Sequence, residues 1–180
     1  IVVEKKKYTY EDYLKTTKDK RYELIDGELL MTPSPTPYHQ RVSRKLEFIL
    51  ESFITKNNLG EIFYAPCDVY LDNENVVQPD ILFISKDRLN IIGDKNIQSA
   101  PNLVIEIISE NSVYRDMVQK KRLYTRFGVQ EYWIVIPEEK EVEVYILKGE
   151  AYQLYKTYTK VDILESPSLK GLKIGLKEIF

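Results

Sequence analysis

Two carboxylates stand alone inside apolar, β-branched stretches of the sequence. Asp80 ends the segment Val76–Asp80, and Glu106 lies within Leu103–Ser109. Both stretches are typical of buried strands, where an ionised carboxylate is costly unless it is paired or bound to a metal ion. Two such groups on neighbouring strands predict a site for a hard cation, which prefers oxygen ligands. For either residue alone, a buried salt bridge or a capped turn is the alternative.

A lysine after Glu106 would face the same site. Residues 112–127 have helical periodicity, and Gly128 follows as a typical helix stop. At about 100° per residue, the stripe that would face the core contains Val113, Met117, Lys120, Tyr124 and Phe127. Lys120 would pair there with acidic side chains of the adjacent strands, whereas outward snorkelling is the alternative. Lys121 and Arg122 fall off the centre of the stripe and are predicted to be solvated.

The elements that would position these residues are a mixture of helices and strands. The predicted helices are Tyr10–Leu14, Tyr38–Lys56 and Ser112–Phe127, with a short helical turn within residues 85–100. The predicted strands are Arg21–Ile25, Glu28–Met31, Gly60–Tyr64, Cys67–Leu71, Val76–Ile84, Asn102–Ile108, Glu131–Ile136, Glu141–Leu147 and Ala151–Lys156. Asp26-Gly27 is a strong hairpin signal, and residues 161–180 predict short edge strands and a terminal turn. This order favours an α/β (α+β) fold in which the two long helices cover the faces of a mixed sheet.

Composition limits the class of protein. A chain of 180 residues with 43% apolar and 30% charged residues fits one domain over residues 1–180. No apolar run reaches the roughly 20 residues that span a bilayer, and no signal-peptide pattern opens the chain. The single cysteine, Cys67, argues against an extracellular disulfide framework, so a cytoplasmic protein is expected. Cys67 itself is predicted to belong to the core rather than to act as a nucleophile.

Six segments in order between residues 8 and 145 carry a family resemblance. They are Tyr22–Leu29, Ala65–Val69, Val77–Ile81, Pro101–Ser109, Arg115-Asp116 with Lys120 and Tyr124, and Gly128–Val135. Together they resemble the Uma2 family, also called DUF820, of the PD-(D/E)XK nuclease superfamily. The superfamily pattern Glu-x-Lys would place a lysine at position 108, where this chain has Ile108. In Uma2-like proteins the lysine lies on the following helix, in an Asp-x-x-x-Lys-x-x-x-Tyr arrangement, and the helical phase selects Lys120 independently.

The resemblance implies a restriction endonuclease-like core, a four-stranded mixed sheet flanked by helices, here with an added C-terminal β-hairpin. It also implies a metal-dependent endonuclease that hydrolyses phosphodiester bonds of nucleic acid, DNA being expected, by metal-activated water. Asp80 and Glu106 would bind Mg²⁺ or Mn²⁺, and the superfamily implies the backbone carbonyl of Ile107 as a third ligand. Lys120 would orient the attacking water or stabilise the pentavalent phosphate.

Further residues would support this chemistry. Glu23 and His39 match family positions that contribute to the pocket. We expect His39 near the metal ion without binding it; a hydrogen-bonded residue at the helix start is the alternative. Glu23 would be an additional acid close to the metal ion, or would pair with Arg21.

Three other polar side chains have expected places around the metal ion. Gln78 would face the same way as Asp80 along an extended strand and hold a water molecule, the phosphate or a simple hydrogen bond. Asp116 and Tyr124, spaced four residues on either side of Lys120, would position its ammonium group.

Electrostatics predict local rather than broad contact with nucleic acid. The formal net charge is −2 and the isoelectric point is near 5.6, values that weigh against a phosphate-tracking surface. Two helical clusters could supply the contacts: Arg41 with Arg44, and Arg115 with Lys121 and Arg122. A solvated helix face is the alternative for each cluster.

Two other classes of function remain open. One is a catalytically weak or inactive nuclease-like binding module, because a fold does not fix a function. The other is an interaction protein, or a dimeric enzyme, whose C-terminal hairpin supplies an aromatic interface; its tyrosines are Tyr145, Tyr152, Tyr155 and Tyr158. A homodimer is expected. A metal-free acid–base hydrolase fits poorly, because the chain has one histidine and no nucleophile-elbow pattern.

Overall fold

The structure is a computed structural model that describes residues 6–17, 19–109 and 115–180. Its helices are α1 (Tyr10–Leu14), α2 (Pro37–Asn57), α3 (Lys121–Phe127) and α4 (Leu176–Ile179), with a 3₁₀-helix at Lys86–Ile91 and a π-helical turn at Arg115–Lys120. Its strands are β1 (Arg21–Ile25), β2 (Glu28–Thr32), β3 (Gly60–Tyr64), β4 (Val69–Asp72), β5 (Asn75–Val77), β6 (Ile81–Ser85), β7 (Leu103–Ile107), β8 (Glu131–Ile136), β9 (Glu141–Lys148), β10 (Ala151–Thr159), β11 (Ile163–Glu165) and β12 (Lys173–Gly175). None of the helices within the described ranges is long and apolar enough to cross a membrane.

The central sheet has six strands in the order β10-β9-β8-β7-β6-β3. β7 and β8 run parallel, and the other neighbours are antiparallel. Successive side chains point to opposite faces, so Ile105 and Trp133 pack with α2, whereas Val104 and Tyr132 pack with α3. The predicted fold, a mixed sheet flanked by helices with an added C-terminal hairpin, is confirmed.

A second sheet, in the order β2-β1-β5-β4, lies outside the predicted single sheet. The hairpin of β1 and β2 that was expected around Asp26-Gly27 is confirmed, and both turn residues have positive φ angles, 50° and 77°. Two successive positive φ angles are characteristic of the type I′ turn, which matches the twist of the strands. This hairpin holds Arg21 and Glu23 at fixed positions along β1.

The predicted continuous strand Val76–Ile84 is wrong. The chain forms β5 in the second sheet and β6 in the central sheet, with Gln78–Asp80 between them. Pro79 has no N–H group to donate to a strand ladder, which favours a break there. Asp80 therefore lies at the junction of the two sheets rather than inside a strand.

The predicted helix Ser112–Phe127 is only partly an α-helix. Residues 110–114, including Val113, lie outside the described residues, and the turn that follows is π-helical before α3 begins. α3 ends as predicted at Gly128, which has a φ of 80°. At the C-terminus, the predicted short strands and terminal turn are β11, β12 and α4, and Leu164 and Ile174 are buried in the core beside α2.

Candidate active site

One pocket, with a volume of about 50 Å³, lies where the two sheets meet the start of α2. It brings together most of the candidate residues from the sequence: Glu23, His39, Gln78, Asp80, Glu106, Ile107, Arg115, Asp116 and Lys120. They come from β1, α2, the β5–β6 junction, β7 and the π-helical turn. Segments far apart in sequence therefore converge on one small, polar space.

Asp80 is held opposite Glu106 by the strand register. Ile81, the first residue of β6, pairs with Ile105 of β7 in an antiparallel ladder, so Asp80, just before β6, lies opposite Glu106, the next residue of β7. The Asp80 carboxylate accepts a hydrogen bond from the Ile107 N–H at 2.7 Å and lies 3.3 Å from His39 Nε2. These contacts fix the Asp80 side chain, which is 17% exposed.

Glu106 is fully enclosed beside Lys120. Its Oε1 accepts hydrogen bonds from Lys120 Nζ at 2.9 Å and from the Tyr124 hydroxyl at 2.6 Å. Burial raises the pKa of Glu106 well above its ordinary value, and the positive charge of Lys120 opposes that rise. The predicted role of Tyr124 is corrected here, because its hydroxyl orients Glu106 rather than Lys120.

Lys120 is the buried cation of the pocket. Its ammonium group lies 2.8 Å from Glu23, 2.9 Å from Glu106 and 3.6 Å from Asp116. Burial alone would lower the pKa of Lys120, but the charges of the carboxylates outweigh it and the pKa is raised. The predicted inward position of Lys120 is confirmed. The neighbouring Lys121 lies outside the pocket, with Nζ 3.4 Å from the centre of the Tyr145 ring.

Glu23 joins the second sheet to this cluster. Besides Lys120, its carboxylate approaches Arg115 Nε at 3.8 Å and accepts the Gln78 N–H at 2.8 Å. Arg21, the alternative partner of Glu23, donates instead to the side chain of Gln78 at 3.2 Å. Glu23 is 1% exposed, so its charge is balanced from within the pocket.

His39 lies at the beginning of α2, beside Asp80. Thr36 caps the helix by accepting the His39 N–H at 3.2 Å, and Pro37 occupies the first helical position. Burial alone would lower the pKa of His39. The hydrogen bond with Asp80 and the negative charge of Asp80 outweigh burial, so the pKa of His39 is raised. His39 therefore lies beside Asp80, and its expected place near a metal ion that it does not bind stays a prediction.

Gln78 does not share an extended strand with Asp80, contrary to expectation, because the chain breaks between β5 and β6. Its amide nitrogen donates to Asp68 at 2.7 Å and to the Tyr13 hydroxyl at 3.3 Å. Tyr13 also donates to Asp68 at 2.8 Å. Asp68 was visible in the sequence only as part of the segment Ala65–Val69, and Tyr13 only as part of a short helix.

A protein-family model matches almost the whole chain. The model of Uma2, described as "Putative restriction endonuclease", matches residues 9–177. The chain belongs to the Uma2 family. A crystal structure of a "putative nuclease belonging to DUF820" from Anabaena variabilis ATCC 29413 superimposes with a TM-score of 0.79. That likeness has 20% sequence identity and covers 96% of this chain and 97% of the other, so it shows a shared fold. No curated protein matches.

The pocket holds several carboxylates and several buried polar atoms that lack a hydrogen-bond partner. Four of the five buried side-chain atoms without a hydrogen-bond partner, among the described residues, belong to pocket-lining residues: Glu23 Oε2, Thr32 Oγ1, His39 Nδ1 and Arg115 Nε. No three histidine, cysteine or acidic side chains in the described ranges are spaced to hold a metal ion by themselves. Two carboxylates, a backbone carbonyl and water are nevertheless a typical oxygen set for Mg²⁺. The residues of this Uma2 protein therefore fit a partly hydrated metal ion.

The basic residues expected to contact nucleic acid occupy different surroundings. Arg41, Arg44 and Arg122 are exposed. Arg115 lies instead in the pocket, where its guanidinium approaches Glu23 and Asp116. The exposed arginines therefore lie on the outer faces of α2 and α3, whereas Arg115 belongs to the site itself.

Proposed function

We propose that this Uma2 protein is a metal-dependent endonuclease that hydrolyses phosphodiester bonds of nucleic acid, preferably DNA. The observation that carries this proposal is the convergence of Asp80, Glu106 and Lys120 from three separate segments on one pocket. The description of the family supports the same reaction class.

Asp80 and Glu106 would hold Mg²⁺ or Mn²⁺, with the carbonyl of Ile107 as a third ligand. A bound ion of this kind lowers the pKa of a coordinated water molecule and neutralises charge on the phosphate. Lys120 supplies a buried ammonium group that donates to the oxygens on which negative charge develops. Its contacts with Glu23 and Asp116 keep it protonated and fixed in position.

The residues around the two ligands set their orientation. The Ile107 N–H and His39 hold the Asp80 carboxylate, and the Tyr124 hydroxyl holds Glu106. Tyr132 donates to the backbone carbonyl of Asp116 at 2.8 Å and ties the π-helical turn to β8. A preorganised site of this kind spends little free energy on reorientation during the reaction.

A second candidate function is a catalytically weak nuclease-like binding module. The observation that favours it is the pair of hydrogen bonds from Lys120 and Tyr124 to the same oxygen of Glu106. A metal ion would have to compete with these donors for that carboxylate. Metal affinity therefore separates the two functions directly.

The test is calorimetric titration of Mn²⁺ and Mg²⁺ into the wild type and the variants Asp80→Asn and Glu106→Gln. Both variants should lose binding while keeping the melting temperature equal or raising it, because each removes one of several carboxylates that repel one another in the pocket. Glu143→Gln is the matched control, since Glu143 lies on the same sheet and accepts the Tyr145 hydroxyl at 2.6 Å. Metal affinity that is unchanged in both test variants would end the metal-site proposal.

Cleavage assays then decide the substrate. Single-stranded DNA, double-stranded DNA and RNA are incubated with the wild type in the presence of the bound metal ion. DNA cleavage that disappears in both carboxylate variants supports an endonuclease. Metal binding without cleavage of any of the three supports the binding module.

A further inference from the structure

The pocket is also lined by two hydrogen-bond donors, Arg21 and Thr32, which suit an anion rather than a cation. Arg21 and Thr32, at the open ends of β1 and β2, line the same space of about 50 Å³ as Asp80 and Glu106. The two are direct partners in the β1–β2 ladder. Side chains of directly paired residues lie on the same face of a hairpin, a few ångströms apart. A guanidinium and a hydroxyl therefore lie side by side in the pocket that the carboxylates also line.

Arg21 is tethered through one nitrogen. Its Nε donates to the side-chain oxygen of Gln78 at 3.2 Å. The Gln78 amide is itself fixed by Asp68 and by the Tyr13 hydroxyl, and its backbone N–H donates to Glu23. This chain of hydrogen bonds sets the direction of the guanidinium without neutralising its charge, because the tethering oxygen belongs to an uncharged amide.

The charge of Arg21 distinguishes it from the other cations of the pocket. Lys120 is surrounded by three carboxylates, and Arg115 lies near two. Within residues 6–17, 19–109 and 115–180, no carboxylate forms an ion pair with Arg21. A partly buried guanidinium without a carboxylate partner is a ready binding group for an external oxyanion.

Thr32 adds a hydroxyl to the same pocket. Its Oγ1 is buried and has no hydrogen-bond partner among the described residues. Burying a hydroxyl without a partner destabilises a folded protein, so the arrangement makes sense where a ligand completes the hydrogen bond. Oxygen atoms of a phosphate are suitable acceptors for this hydroxyl and for the arginine fork together.

We propose that Arg21 and Thr32 bind the non-bridging oxygens of the scissile phosphate. This proposal rests on the proposed nuclease function and identifies two residues that bind its substrate. The scissile group is favoured over a neighbouring one because Arg21 and Thr32 line the same small pocket as Asp80 and Glu106, the proposed metal ligands. The hairpin thus contributes the anion-binding half of a site whose cation-binding half belongs to the central sheet.

Binding of inorganic phosphate to the Mg²⁺-loaded protein tests the proposal without relying on turnover. Arg21→Met should weaken phosphate binding by about 10- to 100-fold, the effect of losing a charge-assisted contact. Arg21→Lys should fall between Met and the wild type, because lysine keeps the charge but loses the planar fork. Thr32→Val, which keeps the shape, should weaken binding by about three- to tenfold.

Matched variants control for charge and for fold. Lys173→Met removes the same charge at an exposed site on β12, and Thr157→Val makes the same exchange on β10. Both should bind phosphate as the wild type does. Mn²⁺ affinity is measured for every variant and should stay within about twofold of the wild-type value, since neither test residue is a metal ligand.

The outcomes separate this inference from the proposed function. Loss of phosphate binding in Arg21→Met with unchanged Mn²⁺ affinity, and displacement of phosphate by a single-stranded DNA decamer, support it. Equal phosphate affinity in Arg21→Met and wild type overturns it, even where Mn²⁺ binds normally. Phosphate that a DNA strand does not displace also overturns it, because the site would then bind free phosphate rather than a nucleic-acid strand. Absence of Mn²⁺ binding in the wild type is instead a failure of the proposed function.

Discussion

At the scale of single residues, the pocket is dominated by one buried cation among several buried carboxylates. Lys120 lies within 3.6 Å of three of them and is 3% exposed. In such a cluster each charge depends on the others, because none is compensated by water. Removing the cation should therefore affect both folding and chemistry.

Lys120→Met is expected to lower any nuclease turnover by roughly 10²-fold or more, the effect of a lost transition-state donor. The variant should also be less stable by about 3–5 kcal/mol, because it leaves buried carboxylates without their partner. Urea unfolding and single-turnover cleavage measure the two effects. Lys121→Met, next in the chain but outside the pocket, should leave the chemical step nearly intact. The reverse ranking of the two variants would contradict the assignment.

The Cys67 thiol offers a residue-scale test of burial. Burial, followed by the nearby charge of Asp68, raises the pKa of the Cys67 thiol above its ordinary value. Alkylation by iodoacetamide should therefore be slower at pH 8 than for a free thiol, and its rate should rise only at higher pH. Because the unfolded chain ionises first, the free energy of unfolding should fall as the pH rises above about 8.5. A thiol in the native protein that titrates at or below that value would contradict the prediction.

At the scale of elements, the first turn of α2 connects the helix to the pocket. Thr36 caps α2 through the N–H of His39, and the His39 ring contacts Asp80. The cap therefore fixes both the start of a helix of 21 residues and the position of a pocket residue. The helix predicted over Tyr38–Lys56 differs from the observed helix by one residue at each end.

Thr36→Ala should destabilise the protein by about 0.5–2 kcal/mol, the usual effect of losing a helix cap. Thr36→Ser keeps the capping oxygen and should remain close to the wild type. Denaturant unfolding followed by circular dichroism compares the three proteins. Equal stability of the alanine and serine variants would mean that the cap contributes nothing to α2.

The breaks between elements were harder to predict than the elements themselves. The apolar run Val76–Ile84 contains enough β-branched residues for one strand, yet Pro79 divides it between two sheets. Local pattern does not reveal which strands will pair, because β5 pairs with the distant β1 as well as with its sequence neighbour β4. Asp80 and Glu106 were predictable from their isolated charges and Lys120 from its helical phase, whereas the hydrogen bonds among Tyr13, Asp68 and Gln78 depend on that long-range pairing.

At the scale of the whole molecule, the surface charge bears on nucleic-acid binding and the exposed tyrosines bear on dimer formation. The net charge is −2, and the exposed arginines expected to contact nucleic acid, Arg41, Arg44 and Arg122, lie on two helices. Of the hairpin tyrosines, Tyr158 is buried in the core of its own chain and Tyr152 donates to the Val129 carbonyl. Tyr155, 52% exposed, is left as the most accessible of the four. The homodimer, the single domain and the cytoplasmic location stay predictions, and sedimentation equilibrium tests the first.

Nucleic-acid binding should depend only weakly on salt. Each phosphate contact with duplex DNA adds about −0.9 to the slope of log affinity against log salt, so two small clusters should give a slope of about −2 to −4. Fluorescence anisotropy with a labelled duplex measures the slope. Charge reversal at Arg44 or Arg122 should reduce it further without changing Mn²⁺ affinity. A slope steeper than about −6 would mean that the protein contacts DNA through a wider basic surface than these two clusters provide.

The position of Trp133 has a practical consequence for optical spectroscopy. It is the only tryptophan of the chain, is fully buried on the α2 side of the central sheet, and donates to Glu131 at 2.6 Å. Glu106 and Lys120 lie toward the opposite face. The emission of this single fluorophore should therefore shift to longer wavelength when the protein unfolds but change little when an ion enters the pocket. Intrinsic fluorescence thus gives a signal for folding in every variant that is independent of ligand occupancy.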